Sequence, residues 1–204
     1  KYADFMIINL NRIPGLALPL PGLRLPVGIS FYTFQILSYV LDVYYGKARV
    51  QKSLVRLTTY VALFPQLIAG PIVRYNTIES ELNGRRHSWA NMAGGIGRFV
   101  TGLAKKILIA NVLGELADQL SRLPERTVLY YWLVGLSFML QIYFDFSAYT
   151  DMAIGLGRMF GFHFQENFDH PYVSRSVSEF WRRWHISMGT WFRDYVYFPL
   201  GGSR

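Results

Sequence analysis

The 204-residue chain carries 21 Lys and Arg against 13 Asp and Glu, a formal charge of +8, and is 51% hydrophobic and 17% aromatic. With only 17% charged residues, this composition disfavours a disordered tail, a collagen-like repeat, a coiled coil and a typical soluble enzyme. The absence of cysteine excludes disulfide frameworks, thiolate nucleophiles and cysteine-based zinc sites.

The basic excess fits either nucleic acid or an anionic membrane surface. Three runs without Asp, Glu, Lys or Arg decide for the membrane: Leu25 to Leu41, Leu57 to Val73 and Thr127 to Phe144. Each reaches roughly 26 Å as a helix, close to the ~30 Å hydrocarbon core. The first run opens with Pro26, Gly28 and Ser30 and continues through Phe31, Tyr32, Phe34 and Tyr39. After it come Lys47, Arg49, Lys52 and Arg56 with no acid between them, a short basic loop expected on the cytoplasmic side. The second run contains Pro65, Gln66, Gly70 and Pro71. Proline removes a helical hydrogen bond, and hydrocarbon cannot replace it. Residues 64–71 therefore read either as a broken or re-entrant element or as a loop between two shorter helices.

A helix over about Phe99 to Leu113 is interrupted by Lys105-Lys106 and reads as interfacial or kinked. The stretch Glu115 to Arg126, richer in acids, is expected as a loop on the opposite side. Val128 to Phe146 is the cleanest spanning helix, with Tyr130, Tyr131 and Trp132 at one end and Tyr143, Phe144 and Phe146 at the other. Asp145, Ser147, Tyr149 and Asp151 then mark the interface or orient a histidine or helix terminus. Gly155 to Gly161 has the wrong glycine spacing for a dinucleotide loop. His163 and His170 match no zinc pattern, so no metal is expected, and His87 reads as solvated. The chain opens at Lys1 without a signal-peptide pattern and stops at Gly201-Gly202-Ser203-Arg204. It is expected to be one partial membrane domain, residues 1–204, of a larger protein.

The chemistry-bearing stretch runs from Pro171 to Gly202. Ser176-Val177-Ser178-Glu179 is a capping box that starts a helix near Val177, and Pro199 and Gly201 end it. On one continuous helix, Trp181, Trp184, Met188, Trp191 and Tyr195 share a face. Arg182 and Arg193 fall on a second line, with Gly189 beside them and His185 at the seam. Such a seam suits acyl transfer. A neutral imidazole takes a proton from a hydroxyl, and guanidinium groups hold a phosphate or an oxyanion. Gly189 would leave room for a substrate beside the ring. The same residues also describe an interfacial helix whose histidine merely packs.

Seven segments carry a resemblance to a known family: Leu25 to Gln35 (LPVGISFYTFQ), Phe64 to Tyr75 (FPQLIAGPIVRY), Gln141 to Gly157 (QIYFDFSAYTDMAIGLG), Glu166-Asn167-Phe168, Pro171-Tyr172 close behind it, Glu179 to Ser187 (EFWRRWHIS) and Trp191 to Gly202 (WFRDYVYFPLGG). In this order the chain resembles the membrane-bound O-acyltransferase family, in its bacterial branch concerned with alginate O-acetylation. Ala148, Thr150 and Met188-Gly189 depart from that branch's usual residues. The resemblance implies an all-α, polytopic membrane bundle with broken and interfacial helices in the bacterial inner membrane. It implies acyl transfer from a thioester donor (acetyl-CoA or an acyl carrier) on the cytoplasmic side to a hydroxyl outside, with no tightly bound cofactor. His185 matches the first of two functional family histidines. The second lies in a downstream Trp-His-Gly segment that this chain does not contain, so these 204 residues alone are expected to be inactive. Arg182, Arg183 and Arg193 are candidate contacts for donor phosphates or headgroups. Expected partners are membrane lipids, the acyl donor, and an exported polysaccharide or a periplasmic acetyltransferase, with no nucleic acid. The rival readings are a transporter or scaffold without chemistry and, within the family, D-alanyl transfer to teichoic acid.

Overall fold

Ser53, Ser88, Thr127 and Ser176 each accept a hydrogen bond from the backbone N–H three residues on, and each starts a helix. The computed structural model describes residues 2–22, 28–67, 70–124 and 126–203. Its helices are α1 (Tyr2–Leu10), α2 (Ile29–Tyr44), α3 (Leu54–Val61), α4 (Tyr75–Asn83), α5 (Trp89–Ala104), α6 (Asn111–Ser121), α7 (Val128–Met159), α8 (Val177–Arg183) and α9 (Ile186–Phe192). Short 3-10 turns lie at Phe64–Gln66 and Pro171–Val173, and π-helical turns at Lys105–Ala110 and Arg193–Tyr197. Among the described residues the remaining bridge is a single antiparallel one, Phe168 to Trp184. The all-α expectation therefore holds.

The third apolar run became α7, which continues past Phe146 to Met159 and is the one described helix long and apolar enough to cross a membrane. The expected helix over 99–113 is the middle of a longer helical run, α5 through the π turn into α6, which packs back along α7. Lys105 and Lys106 sit in the π turn and do not end the helix. Lys105 Nζ bonds Asp151 at 2.6 Å, and Lys106 bonds Asp145. Glu115 and Asp118, expected in a loop, lie inside α6, and Glu125 lies outside the described residues. Pairing with α7 carboxylates explains the difference, because each lysine meets an acid across the helix interface.

Small residues let the two long helices touch. A Cβ on Gly95 would come within 2.7 Å of the Gly155 carbonyl oxygen, and one on Gly102 within 2.7 Å of the Ala148 oxygen. These pairs run in opposite directions along the two helices, so the helices are antiparallel and in backbone contact. Gly102→Ala and Gly155→Ala are each expected to cost about 1–3 kcal/mol through overpacking. A lowered thermal midpoint in detergent checks this, with Gly97→Ala as the control, since a Cβ there meets nothing within 4 Å.

The second apolar run is broken, as both of its readings required, and it lies between two short helices, α3 and α4. After α3, the 3-10 turn buries Pro65 and Gln66, and Gly70 to Val73 then continues buried into α4; Ile68 and Ala69 lie outside the described residues. Ile72 packs with Trp191 and Tyr195, while Val73 packs with Tyr60, Tyr75 and Ile78. This short stretch is thus wedged between two apolar clusters. The first run is described only from Gly28, so Leu25, Pro26 and Val27 lie outside the described residues. Gly28, at φ 77°, allows the start of α2 to approach Leu67, whose carbonyl oxygen lies 2.3 Å from where a Cβ would stand.

Beside these apolar clusters, polarity is inverted along parts of α2 and α7. On α2, Gln35, Ser38 and Asp42 are buried, while Ile36, Leu37 and Val40 are 41%, 43% and 52% exposed. On α7, Ser137, Ser147, Thr150 and Asp151 are buried while Leu129, Leu133, Leu136 and Phe138 are exposed. Water would drive the opposite arrangement, whereas lipid tails accept the apolar faces and leave polar groups to pair within the protein.

Candidate active site

Half of the predicted capping box forms: Ser176 Oγ accepts from Glu179 N at 3.1 Å, but Glu179 Oε2 reaches one residue further back and accepts from Arg175 N at 2.9 Å. That second bond, with Arg183 nearby, holds Glu179 below the usual carboxylate range. The single helix expected to follow does not form. Trp184 is extended, and His185 adopts the left-handed conformation at φ 45°, ψ 54°, so α8 ends and α9 begins on either side of the histidine. A non-glycine residue there persists only when its neighbours hold it.

The neighbours are residues 167–169. Asp169 N donates to Arg183 O at 2.9 Å, and Ile186 N donates to Asn167 O at 2.9 Å. The backbone groups that a continuous helix would have used internally are therefore satisfied by this crossing strand. The Asn167 side-chain oxygen accepts three bonds: from Ser187 N at 3.1 Å, from Ser187 Oγ at 2.9 Å, and from His185 Nδ1 at 3.1 Å. Ser187 Oγ in turn accepts from Ile72 N at 3.1 Å. This last bond ties the wedged Gly70–Val73 stretch to the histidine loop.

One protonation state follows. The Ser187 N–H identifies the Asn167 atom as the amide oxygen, which only accepts. His185 must then carry a proton on Nδ1, and in the neutral ring the Nε2 lone pair is the one left available. Phe146 of α7 stands edge-to-face on the ring at 4.9 Å between centroids, and the residue is 8% exposed. The arrangement is an oriented neutral imidazole on an aromatic wall, able to accept a proton at Nε2.

The break changes the other expected neighbours. Trp181 is exposed and Trp191 buried, so the expected shared tryptophan face does not exist. Trp184 instead packs with Phe168, Phe180 and Tyr143. The arginine line is also dissolved. Arg182 is exposed, with Nε donating to Ser178 O at 3.3 Å. Arg183 pairs with Glu179 at 2.9 Å and reaches the Asp169 carbonyl oxygen at 3.2 Å. Arg193, in the second π turn, pairs with Asp194 at 2.8 Å. Gly189 faces the Trp181 carbonyl at 3.8 Å from a would-be Cβ. Asp145 and Asp151 pair with the π-turn lysines, His163 Nδ1 meets Glu81 at 2.6 Å, and His170 meets Asp169 at 3.1 Å.

Asn167 and Ser187 lie within the matching segments, and local pattern gives neither of them a role. The available signal was weak: an asparagine flanked by Glu166 and Phe168 and a serine two places after the histidine. Their convergence depends on the helix break, which no local pattern announces.

Inverted polarity on two helices and a helix interrupted at a buried histidine define a helical protein suited to lipid. A family model described as MBOAT, membrane-bound O-acyltransferase family, matches residues 47–204, and the chain belongs to that family. It is 48% identical over its whole length to a protein of Pseudomonas aeruginosa named probable alginate O-acetylase AlgI. A Helicobacter pylori peptidoglycan O-acetyltransferase is 33% identical over the whole chain, and a Bacillus subtilis teichoic acid D-alanyltransferase is 29% identical over 84% of it. The chain spans 40% to 44% of the length of these relatives.

Proposed function

We propose that the chain is the central part of a multi-pass inner-membrane O-acyltransferase that moves an acetyl group from a thioester donor to a hydroxyl of an exported polysaccharide. The observation that carries this reading is the free Nε2 of His185, fixed by Asn167 on Nδ1 within a helical fold whose polarity is inverted along parts of α2 and α7. In the reaction, Nε2 takes the proton of the acceptor hydroxyl as its oxygen attacks the thioester carbonyl. The C–S bond breaks, and the proton passes to the departing thiolate. His185 acts in this step as the base or as the group that aligns the acceptor for the second family histidine. Exposed Arg182 and Arg193 serve donor phosphates or lipid headgroups, whereas Arg183 chiefly secures the strand beside the histidine.

The alginate O-acetylase name among the relatives supports acetyl transfer to a polysaccharide, directly or through a periplasmic acetyltransferase. The D-alanyl reading rests on the less similar relatives. The test is acyl transfer by the full-length protein in membranes, with acetyl-CoA or an acyl carrier as donor and candidate polymers as acceptors. Donor-dependent acetylation is expected. Solute movement without any transfer would replace this reading with that of a transporter, and D-alanylation in place of acetylation would change the substrate.

A further inference from the structure

Away from His185, the end of α2, the start of α4 and the second π turn border a half-open cavity of about 730 Å³. Asp42, Lys47, Arg74, Asn76, Asp194 and Tyr195 line it. Asp42 is 1% exposed, and its Oδ1 accepts from the Tyr195 hydroxyl at 2.8 Å. Its Oδ2 is buried without a hydrogen-bond partner among the described residues. A buried carboxylate oxygen left in this state is costly, and an N–H or O–H donor arriving through the cavity would remove the cost.

The same cavity has a cationic side. Arg74 is held in place by Asp194 at 2.9 Å and lies over the Tyr195 ring at 5.0 Å from its centroid. Lys47 stands near Tyr45, which also lines the cavity. Arg74 is the N-cap of α4 and offers that helix end no side-chain acceptor; Thr77 N bonds back to Arg74 O, and the positive end of the helix dipole still points towards this space. Asp42 thus borders this space with its Oδ2 closed from solvent, and Arg74 and Lys47 border the same space beside the carboxylate of Asp194. The ligand that satisfies both Asp42 and the two cations carries a primary ammonium and a phosphate.

We propose that this cavity binds a phosphoethanolamine group, its ammonium on Asp42 Oδ2 and its phosphate among Lys47, Arg74 and the start of α4. Such a group comes from a phospholipid headgroup or from a soluble phosphomonoester. The exposed aromatic and aliphatic surface at Tyr44, Tyr45 and Leu200 places lipid within reach. The proposal is independent of the acyl-transfer reading.

The test uses the full-length protein, delipidated in detergent and examined by native mass spectrometry. Phosphatidylethanolamine, phosphatidylcholine and phosphatidylglycerol with the same acyl chains are the probes, with soluble phosphoethanolamine as competitor. One phosphatidylethanolamine is expected to bind about tenfold or more tightly than phosphatidylcholine, whose quaternary nitrogen has no N–H to donate. Asp42→Asn should erase that preference. Lys47→Gln should weaken phosphatidylethanolamine and phosphatidylglycerol alike, and Lys52→Gln should change neither. Displacement by phosphoethanolamine identifies a soluble source, and its failure to compete identifies the lipid. Equal binding of the ethanolamine and choline lipids, or a preference that survives Asp42→Asn, overturns the proposal. Where Asp42→Asn does not fold, unchanged phosphatidylethanolamine binding by Lys47→Gln overturns it instead.

Discussion

His185→Ala in the full-length protein is expected to lower kcat by about 10² to 10⁴-fold, the usual worth of a positioned acid–base group. Asn167→Ala should fall nearly as far without touching the ring. Asn167 Oδ1 is the atom that holds the proton on Nδ1, and without it the imidazole is free to present N–H at the reacting side. Asn167→Asp separates this role from simple packing. The aspartate keeps the acceptor but adds a negative charge beside the ring, which favours the imidazolium. Activity should return in part, with the acidic limb of the pH–rate profile moved to higher pH. If Asn167→Ala folds and retains the wild-type rate and pH profile, the tautomer argument is wrong. Wild-type turnover by His185→Ala removes the imidazole from the mechanism altogether.

The second large effect is on stability. Asp151, whose side chain is 7% exposed, bonds both Arg98 and Lys105 at 2.6 Å, and Arg98 also reaches Glu166 at 2.6 Å. This network joins α5, its π turn, α7 and the segment that carries Asn167. Asp151→Leu leaves two cations facing an apolar patch. The expected loss is about 3 kcal/mol, the low end for breaking a buried pair, because both cations keep about a third of their exposure. The folded fraction surviving detergent and heat should drop accordingly, and activity should fall with it through Asn167. A melting curve for Asp151→Leu that overlays the wild type would show the network to be dispensable.

The network around His185 also explains the limits of the sequence. Binary patterning and caps found α2, α7 and the start of α8, because helix capping and long apolar runs are local properties. The Pro65–Pro71 break was equally legible, since proline acts on its own turn. What the lysine pair in the π turn bonds to was not legible, because its partners lie 39 and 46 residues away on α7.

At the candidate site the EFWRRWHIS string identified the histidine, but a uniform helical wheel gave it the wrong neighbours. Nothing local to Trp184-His185 stops a helix. It stops there because a strand 18 residues upstream takes its backbone bonds and side-chain Nδ1. The residues alone determined that this protein is helical, basic and suited to lipid, and which imidazole to examine. The tertiary structure decided the tautomer, the fate of each arginine and the polar face buried on α2. Each of these depends on contacts between segments far apart in the chain, and an unbroken periodicity cannot encode which distant group satisfies a given donor.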